Sequence, residues 1–168
     1  MPRYDIPKAA PDALREVQLL INTVDVHNEV EWLPEWLEAR GLAAKHRARA
    51  TELREALRSL VLANNGVGPD AAALVVLNDA LTSVSLSLDA SGRVVLGGGD
   101  DAIDDVLRTM VAAMLDGRWQ RLKACPNCHW CFYDYSPNRS ARCCSMQLCG
   151  NRKKTRDYRR RRRTLADS

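Results

Sequence analysis

Six cysteines, at positions 125, 128, 131, 143, 144 and 149, fall within 25 residues, and the first 124 positions have none. Thiols crowded into one short stretch either crosslink or share a metal ion, and no other feature constrains the fold of this chain as tightly. Cys125 and Cys128 form a C-x2-C knuckle, a turn short enough for two thiolates to meet one ion, and Cys144 with Cys149 forms C-x4-C. Between the pairs lie fifteen residues, room for the chain to fold back as a small hairpin. A tetrahedral zinc site needs only four thiols, so sets that include Cys131 or Cys143 stay open at this point. Cys131 sits among Trp130, Phe132, Tyr133 and Tyr135, where it can serve as a small apolar filler. Cys143 reads as packing, and His129 follows a ligand directly in a site already supplied with four thiols. The run Cys125-x2-Cys128-x2-Cys131 with a more distant cysteine is also an iron–sulfur pattern, which colour would separate from zinc. Cys125, Cys128, Cys144 and Cys149 are the preferred set, holding one structural Zn²⁺. Four thiolates leave no open coordination position, so hydrolytic zinc chemistry is not expected.

Charge divides the chain at the same place. The formal net charge is +4, but residues 1–116 carry 11 Lys and Arg against 18 Asp and Glu, a net of −7, whereas 117–168 carry 14 against 3, a net of +11. Beyond Cys149 the residues are good helix formers without proline, and a basic C-terminal helix is expected there. Arg152, Arg156, Arg159 and Arg163 share a face at helical spacing, with Lys153 and Arg160 beside them. Like charges so placed repel, so a polyanion is the natural complement. Arg152, Lys153 and Arg156, nearest the finger, are the candidates for groove contacts with DNA, and the run from Arg159 to Arg163 suits phosphates. RNA or an acidic protein would meet the same charge. A membrane surface would not, because the opposite face has only Tyr158 and Leu165 as apolar residues. The N-terminus lacks a signal-peptide pattern, and no apolar run approaches the ~18 residues of a membrane span, so the chain reads as cytosolic.

The first part patterns as helices. Leu14, Val17, Leu20, Ile21 and Val24 predict a helix over 12–26 with Asp12 as its N-cap. Pro34 and Gly41 bracket a short second helix carrying Trp36 and Leu37. Over 43–63, Leu53, Leu57, Leu60 and Val61 recur opposite Lys45, Arg49, Glu52, Arg54, Glu55 and Arg58, which defines the longest helix. Asn64-Asn65-Gly66-Val67-Gly68 reads as a loop, and Pro69-Asp70 opens a helix to about Ala80. Alternation over 81–88 and 93–96 about Asp89-Ala90-Ser91-Gly92 predicts one β-hairpin, ended by three glycines. A last helix is expected from Asp100 or Asp101 to Leu122. The expected fold is mainly α with one small β-hairpin: a helical domain over 1–120, then a small four-cysteine zinc finger with its basic helix over 121–168.

At this point the residues support a resemblance. Arg121-Leu122-Lys123 before Cys125, Phe132-Tyr133-Asp134 with Ser136, Cys144-Ser145-Met146 and Cys149-Gly150-Asn151-Arg152 closely resemble the CGNR zinc finger. The residue before that family's third cysteine is commonly Trp; Cys143 stands there in this chain, which supports Cys144 as the ligand. Ile21-Asn22-Thr23-Val24-Asp25, Trp36-Leu37 with Gly41-Leu42, and Leu77-Asn78 resemble the ABATE domain that precedes this finger. The resemblance implies a bacterial stress-related regulator of transcription, on the strength mostly of the finger. The first domain would then sense an effector or form a homodimer. Asn22, Asp25 and His27 are its candidate ligand-pocket residues, although a hydrogen-bonding role at the helix end is the simpler use for them. No P-loop, G-x-G-x-x-G, H-E-x-x-H or G-x-S-x-G pattern occurs, so no catalytic activity is expected.

Overall fold

A computed structural model describes residues 8–145 and Cys149. Within it, five α-helices are joined by three two-stranded antiparallel ladders. The expected α-rich architecture is present, and two short ladders accompany the 85–97 hairpin.

Helix α1 (Leu14–Ile21) is shorter than its periodicity predicts, and Asp12 does not cap it. Asp12 takes a positive φ of 49°, and Ala13 occupies the N-cap position without a side-chain acceptor. The helix stops because the next two residues are used elsewhere. Asn22 turns its amide onto a distant strand, and the Thr23 hydroxyl donates to the Leu20 carbonyl at 2.8 Å. Strands β1 (Val24–Asp25) and β2 (Val30–Glu31) then pair about a turn organised by Asp25, whose Oδ1 accepts from the backbone N–H groups of His27 and Asn28. Helix α2 (Leu33–Glu38) has Pro34 in its first turn and Gly41 at φ +67° beyond its end, as its sequence predicts.

Helix α3 (Arg47–Ala63) is the longest, and α4 (Ala71–Leu81) begins at Asp70, whose carboxylate accepts from the Ala72 N–H. The hairpin of β3 (Ser85–Leu88) and β4 (Val94–Gly97) follows, with Leu86 opposite Leu96 and Leu88 opposite Val94. Helix α5 (Ala102–Leu115) opens on a capping box between Asp101 and Asp104. It does not run on to Leu122. Gly117, at φ +79°, ends it, a 3-10 turn covers Trp119–Arg121, and β5 (Leu122–Ala124) then pairs with β6 (Cys131–Tyr133). The helical spacing of residues 103–115 carries no further because Leu122 and Ala124, both fully buried, are wanted as strand residues.

The ladder β5–β6 decides how the two parts of the chain meet. Alternate side chains of a strand point to opposite faces. Leu122, Ala124, Cys131 and Tyr133 therefore enter the core formed by Leu20, Leu57 and Leu107 from α1, α3 and α5. Phe132 faces the other way and forms a second, smaller core with Cys125, Cys143 and Cys149. Removing a side chain such as Leu122 from water contributes about 2 kcal/mol, so the helices and the ladder stabilise one another.

Candidate metal centre

The knuckle Cys125–Cys128 is the connection between β5 and β6. It closes as a turn through the His129 N–H to Cys125 O bond at 2.8 Å and the Cys125 N–H to Trp130 O bond at 3.0 Å. His129 itself sits at φ +59°, and its carbonyl accepts from the Arg58 guanidinium at 3.0 Å. Against this turn lie Cys144 and Cys149. The sulfur atoms of Cys125, Cys128, Cys144 and Cys149 all fall within 4.8 Å of one another. Three of the edges measure 3.4 Å (Cys128–Cys149), 3.5 Å (Cys128–Cys144) and 3.6 Å (Cys144–Cys149). Zinc–sulfur bonds of about 2.3 Å in a tetrahedron place sulfurs about 3.8 Å apart, so the donor set and its spacing suit that ion. The other two thiols stand apart from this set: Cys131 is in the helical core, and Cys143 packs in the small core with Asn127 Nδ2 4.0 Å from its sulfur.

Charge at Cys125, Cys128 and Cys144 follows from their crowding. The Cys125 thiol is pushed far down, first by hydrogen bonds from the Cys128 and Cys144 thiols, with the N–H groups of Cys144 and Asn127 adding to them and burial opposing. The Cys128 and Cys144 thiols are pushed up, chiefly because their hydrogen bonds to Cys125 hold their protons. A dication would displace these protons and let the sulfurs bind as thiolates. Its contribution would be a crosslink between the two ligand pairs, and the protein residues set where that crosslink lies. Burial pushes the Cys131 thiol up as well, consistent with its place among apolar side chains.

The four-thiol site lies in a segment that a zinc-finger family model matches. The ABATE model, described as "Putative stress-induced transcription regulator", matches residues 15–117, and the CGNR zinc finger model matches residues 121–162. The chain belongs to the ABATE family. No curated protein matches it. The matched ABATE segment spans α1 to α5, and the CGNR finger begins on the 3-10 turn before β5.

Buried and half-buried amide side chains of the ABATE segment hold the finger in place. Asn22 Oδ1 accepts from the Cys131 N–H at 2.8 Å while its Nδ2 donates to the Cys131 carbonyl at 2.9 Å, and Gln18 Nε2 donates to the same carbonyl at 3.1 Å. Asn64 donates to the carbonyls of Trp119 and Leu122, both at 2.9 Å. Asn65 donates to Ala124 and Arg142. Arg58, beyond its bond to His129, donates to the Ile21 carbonyl at 2.6 Å. Arg54 and Arg58, which helical periodicity assigns to the polar face of α3, are each only 4% exposed. Glu55, shared by both, and Glu31, bound to Arg54, balance their charge. The finger also has an internal strut: the Lys123 ammonium and the Asp134 carboxylate pair at 2.8 Å, both buried. Burial alone would raise the pKa of Asp134, yet hydrogen bonds from Lys123 and Ser136 hold it down to about 2.

Asn22, Asp25 and His27 lie at the end of α1 and on the turn that follows it. Asn22 is fully buried and occupied by Cys131, Asp25 shapes the 25–28 turn, and His27 is exposed on that turn. The sequence signal for Asn22 is its polar character at the end of the first helix; its partner, 109 residues away, has no local signal. Asn64 and Asn65, read only as loop residues, are contacts that the sequence reading missed. The basic residues Arg152, Lys153, Arg156, Arg159, Arg160 and Arg163, and the helix expected to carry them, lie outside the described residues. No helix among the described residues is long and apolar enough to cross a membrane.

Proposed function

We propose that this chain is a DNA-binding regulator of transcription in the bacterial cytoplasm, in which one zinc ion at Cys125, Cys128, Cys144 and Cys149 fixes the start of a basic segment. The observation that carries the reading is the joint between finger and helices. The last ligand, Cys149, belongs to a unit keyed into the helical core, and the sequence carrying most of the +11 charge leaves from it. A rigid base is what allows a short basic helix to enter a groove at one angle. Arg152, Lys153 and Arg156 would then face base edges, and Arg159, Arg160 and Arg163 phosphates. The metal does no chemistry in this reading, and the protein is not an enzyme.

The same reading takes the chain as a pair. Leu86, Leu88 and Val94 share one face of the β3–β4 ladder and are 69%, 69% and 66% exposed. Neither strand has a charged residue, so an identical face brings no like charge in an otherwise acidic segment. A second copy of this hairpin is the occupant we assign to it. Light scattering should give the mass of two chains for the wild type and of one for Leu86→Glu; a wild-type monomer at high concentration rejects the pairing.

The reading of the partner is tested by crosslinking in cells followed by sequencing of bound nucleic acid. Enriched DNA sites are expected. Recovery of RNA, or of no nucleic acid with an acidic protein instead, would replace DNA by that partner. In vitro, the logarithm of affinity should fall with the logarithm of salt by about 0.9 per phosphate neutralised.

A further inference from the structure

A tetrahedral metal site is built from two halves, and something must hold them at the right separation before the ion arrives. In this chain the halves are the knuckle that follows Ala124 and the segment that follows Arg142. Asn65 joins them. Its Nδ2 donates to the Ala124 carbonyl at 2.8 Å and to the Arg142 carbonyl at 2.9 Å, one proton to each. Ala124 directly precedes the ligand Cys125, and Arg142 stands two residues before the ligand Cys144. The contact is returned, since the Arg142 guanidinium donates to the Asn65 carbonyl at 2.5 Å. Asn65 is 5% exposed, so both carbonyls depend on it with little competition from water.

The donor comes from outside the finger. Asn65 lies just past the end of α3, in the segment matched by the ABATE model, and its own N–H is held by the Leu62 carbonyl at 2.9 Å. The next residue, Gly66, has φ +89°, and a Cβ there would lie 3.0 Å from the Arg142 guanidinium, so the chain turns away at once and leaves Arg142 its place. Of the two amides at this helix end, Asn64 grips the first residue of β5 and the turn before it, through Leu122 and Trp119. Asn65 bridges the two ligand-bearing halves from the end of α3.

We propose that Asn65 is a positioning residue for the metal site: it preorganises the ligand pairs and thereby couples metal affinity to the folding of the ABATE segment. This rests on the reading that the four thiols hold zinc. Hydrogen-bonding groups behind metal ligands typically carry roughly 10- to 100-fold in affinity. Coupling is reciprocal, so metal that is held more tightly because of Asn65 must stabilise the helices through the same contact.

The test uses the full chain, with zinc affinity from competition with a chromophoric chelator and Co²⁺ spectra as a report on tetrahedral thiolate geometry. Asn65→Ala and Asn65→Asp should lower zinc affinity roughly 10- to 100-fold. Asn64→Ala, which loses two similar bonds at the same helix end, should stay within roughly twofold of wild type. Equal affinity in the Asn65 variants and wild type, or an equal loss in Asn64→Ala, overturns the proposal while leaving the zinc reading intact; a wild type that binds neither ion removes both. Should the Asn65 variants not fold, the wild type decides: the two Asn65 side-chain amide proton resonances should shift on zinc addition, and resonances identical with and without zinc overturn the proposal.

Discussion

Asn22 and Cys131 are joined at two points: the amide oxygen of Asn22 accepts from the Cys131 N–H at 2.8 Å, and its nitrogen donates to the Cys131 carbonyl at 2.9 Å. Both residues are fully buried, and the pair extends the β5–β6 ladder with a side chain in the place of a third strand. Asn22→Ala orphans the Cys131 N–H completely, whereas the carbonyl keeps its bond from Gln18. One unsatisfied buried donor costs about 2 kcal/mol, and that loss is expected in urea unfolding of the full chain. Adding Gln18→Ala then strips the carbonyl as well, so the double variant should lose more than the sum of the single ones.

The Lys123–Asp134 strut predicts a specific pH dependence. Asp134 has its folded pKa lowered from the ordinary 3.8 to about 2, so the unfolded state binds the proton first as pH falls. The stabilisation is therefore fully present above pH 4 and is lost as pH drops toward 2. From that shift it amounts to about 2 kcal/mol. Asp134→Asn should be less stable than wild type at pH 7, and the gap should narrow between pH 4 and 2. Comparing the two proteins at each pH by urea unfolding cancels the proton-driven release of metal from the thiols, which both share.

Metal content separates the six cysteines into two kinds. Serine at Cys125, Cys128, Cys144 or Cys149 should abolish stoichiometric zinc, measured by elemental analysis of the purified chain. Serine at Cys131 or Cys143 should leave one equivalent, because neither sulfur belongs to the cluster. Cys131→Ser should instead cost about 1–2 kcal/mol of stability, since it places a hydroxyl in an apolar core. Colourless protein is expected throughout; visible absorption in anaerobically purified protein would mark iron–sulfur ligation through Cys131 in place of zinc.

Local chemistry made much of this legible. The bracketing of α2 by Pro34 and Gly41, the Asp70 and Asp101 caps and the 85–97 hairpin are all short-range signals, and each has its place in the fold. Cysteine spacing brought together the four thiols for the same reason: ligands of one pair must be close in sequence. What lay beyond reach was the meeting of distant segments. Arg54 and Arg58 sit at positions where helical periodicity expects solvent, yet they are covered by the finger and by Glu31. Asn64 and Asn65 have the composition of a loop and the function of a clamp, and nothing near them in the chain reveals the carbonyls they serve. Periodicity carries the expected last helix past the end of α5 because Leu122 and Ala124 suit an apolar helix face as well as a strand, and only pairing with β6 distinguishes the two.

Two glycines of the hairpin region allow backbone conformation to be separated from steric contact. Gly92, in the β3–β4 turn, has φ +76° with nothing within 4 Å of where a Cβ would be, whereas Gly98 has φ +98° and a Cβ there would meet the Ser83 carbonyl oxygen at 1.8 Å. Gly92→Ala incurs only the left-handed penalty, about 1 kcal/mol. Gly98→Ala adds an overlap with backbone, which cannot rotate aside as a side chain can. Ser83 is itself tied down, its N–H to the Ala80 carbonyl and its hydroxyl to the same oxygen, so the clash must displace the end of α4 or open the hairpin. A loss of about 3 kcal/mol or more is expected for Gly98→Ala. In a chain of this length that lowers the melting temperature by roughly 6–12 °C, against roughly 2–4 °C for Gly92→Ala. Thermal unfolding followed by circular dichroism distinguishes the two, and equal shifts would mean that the hairpin base yields freely and that the close approach at Ser83 does not hold it.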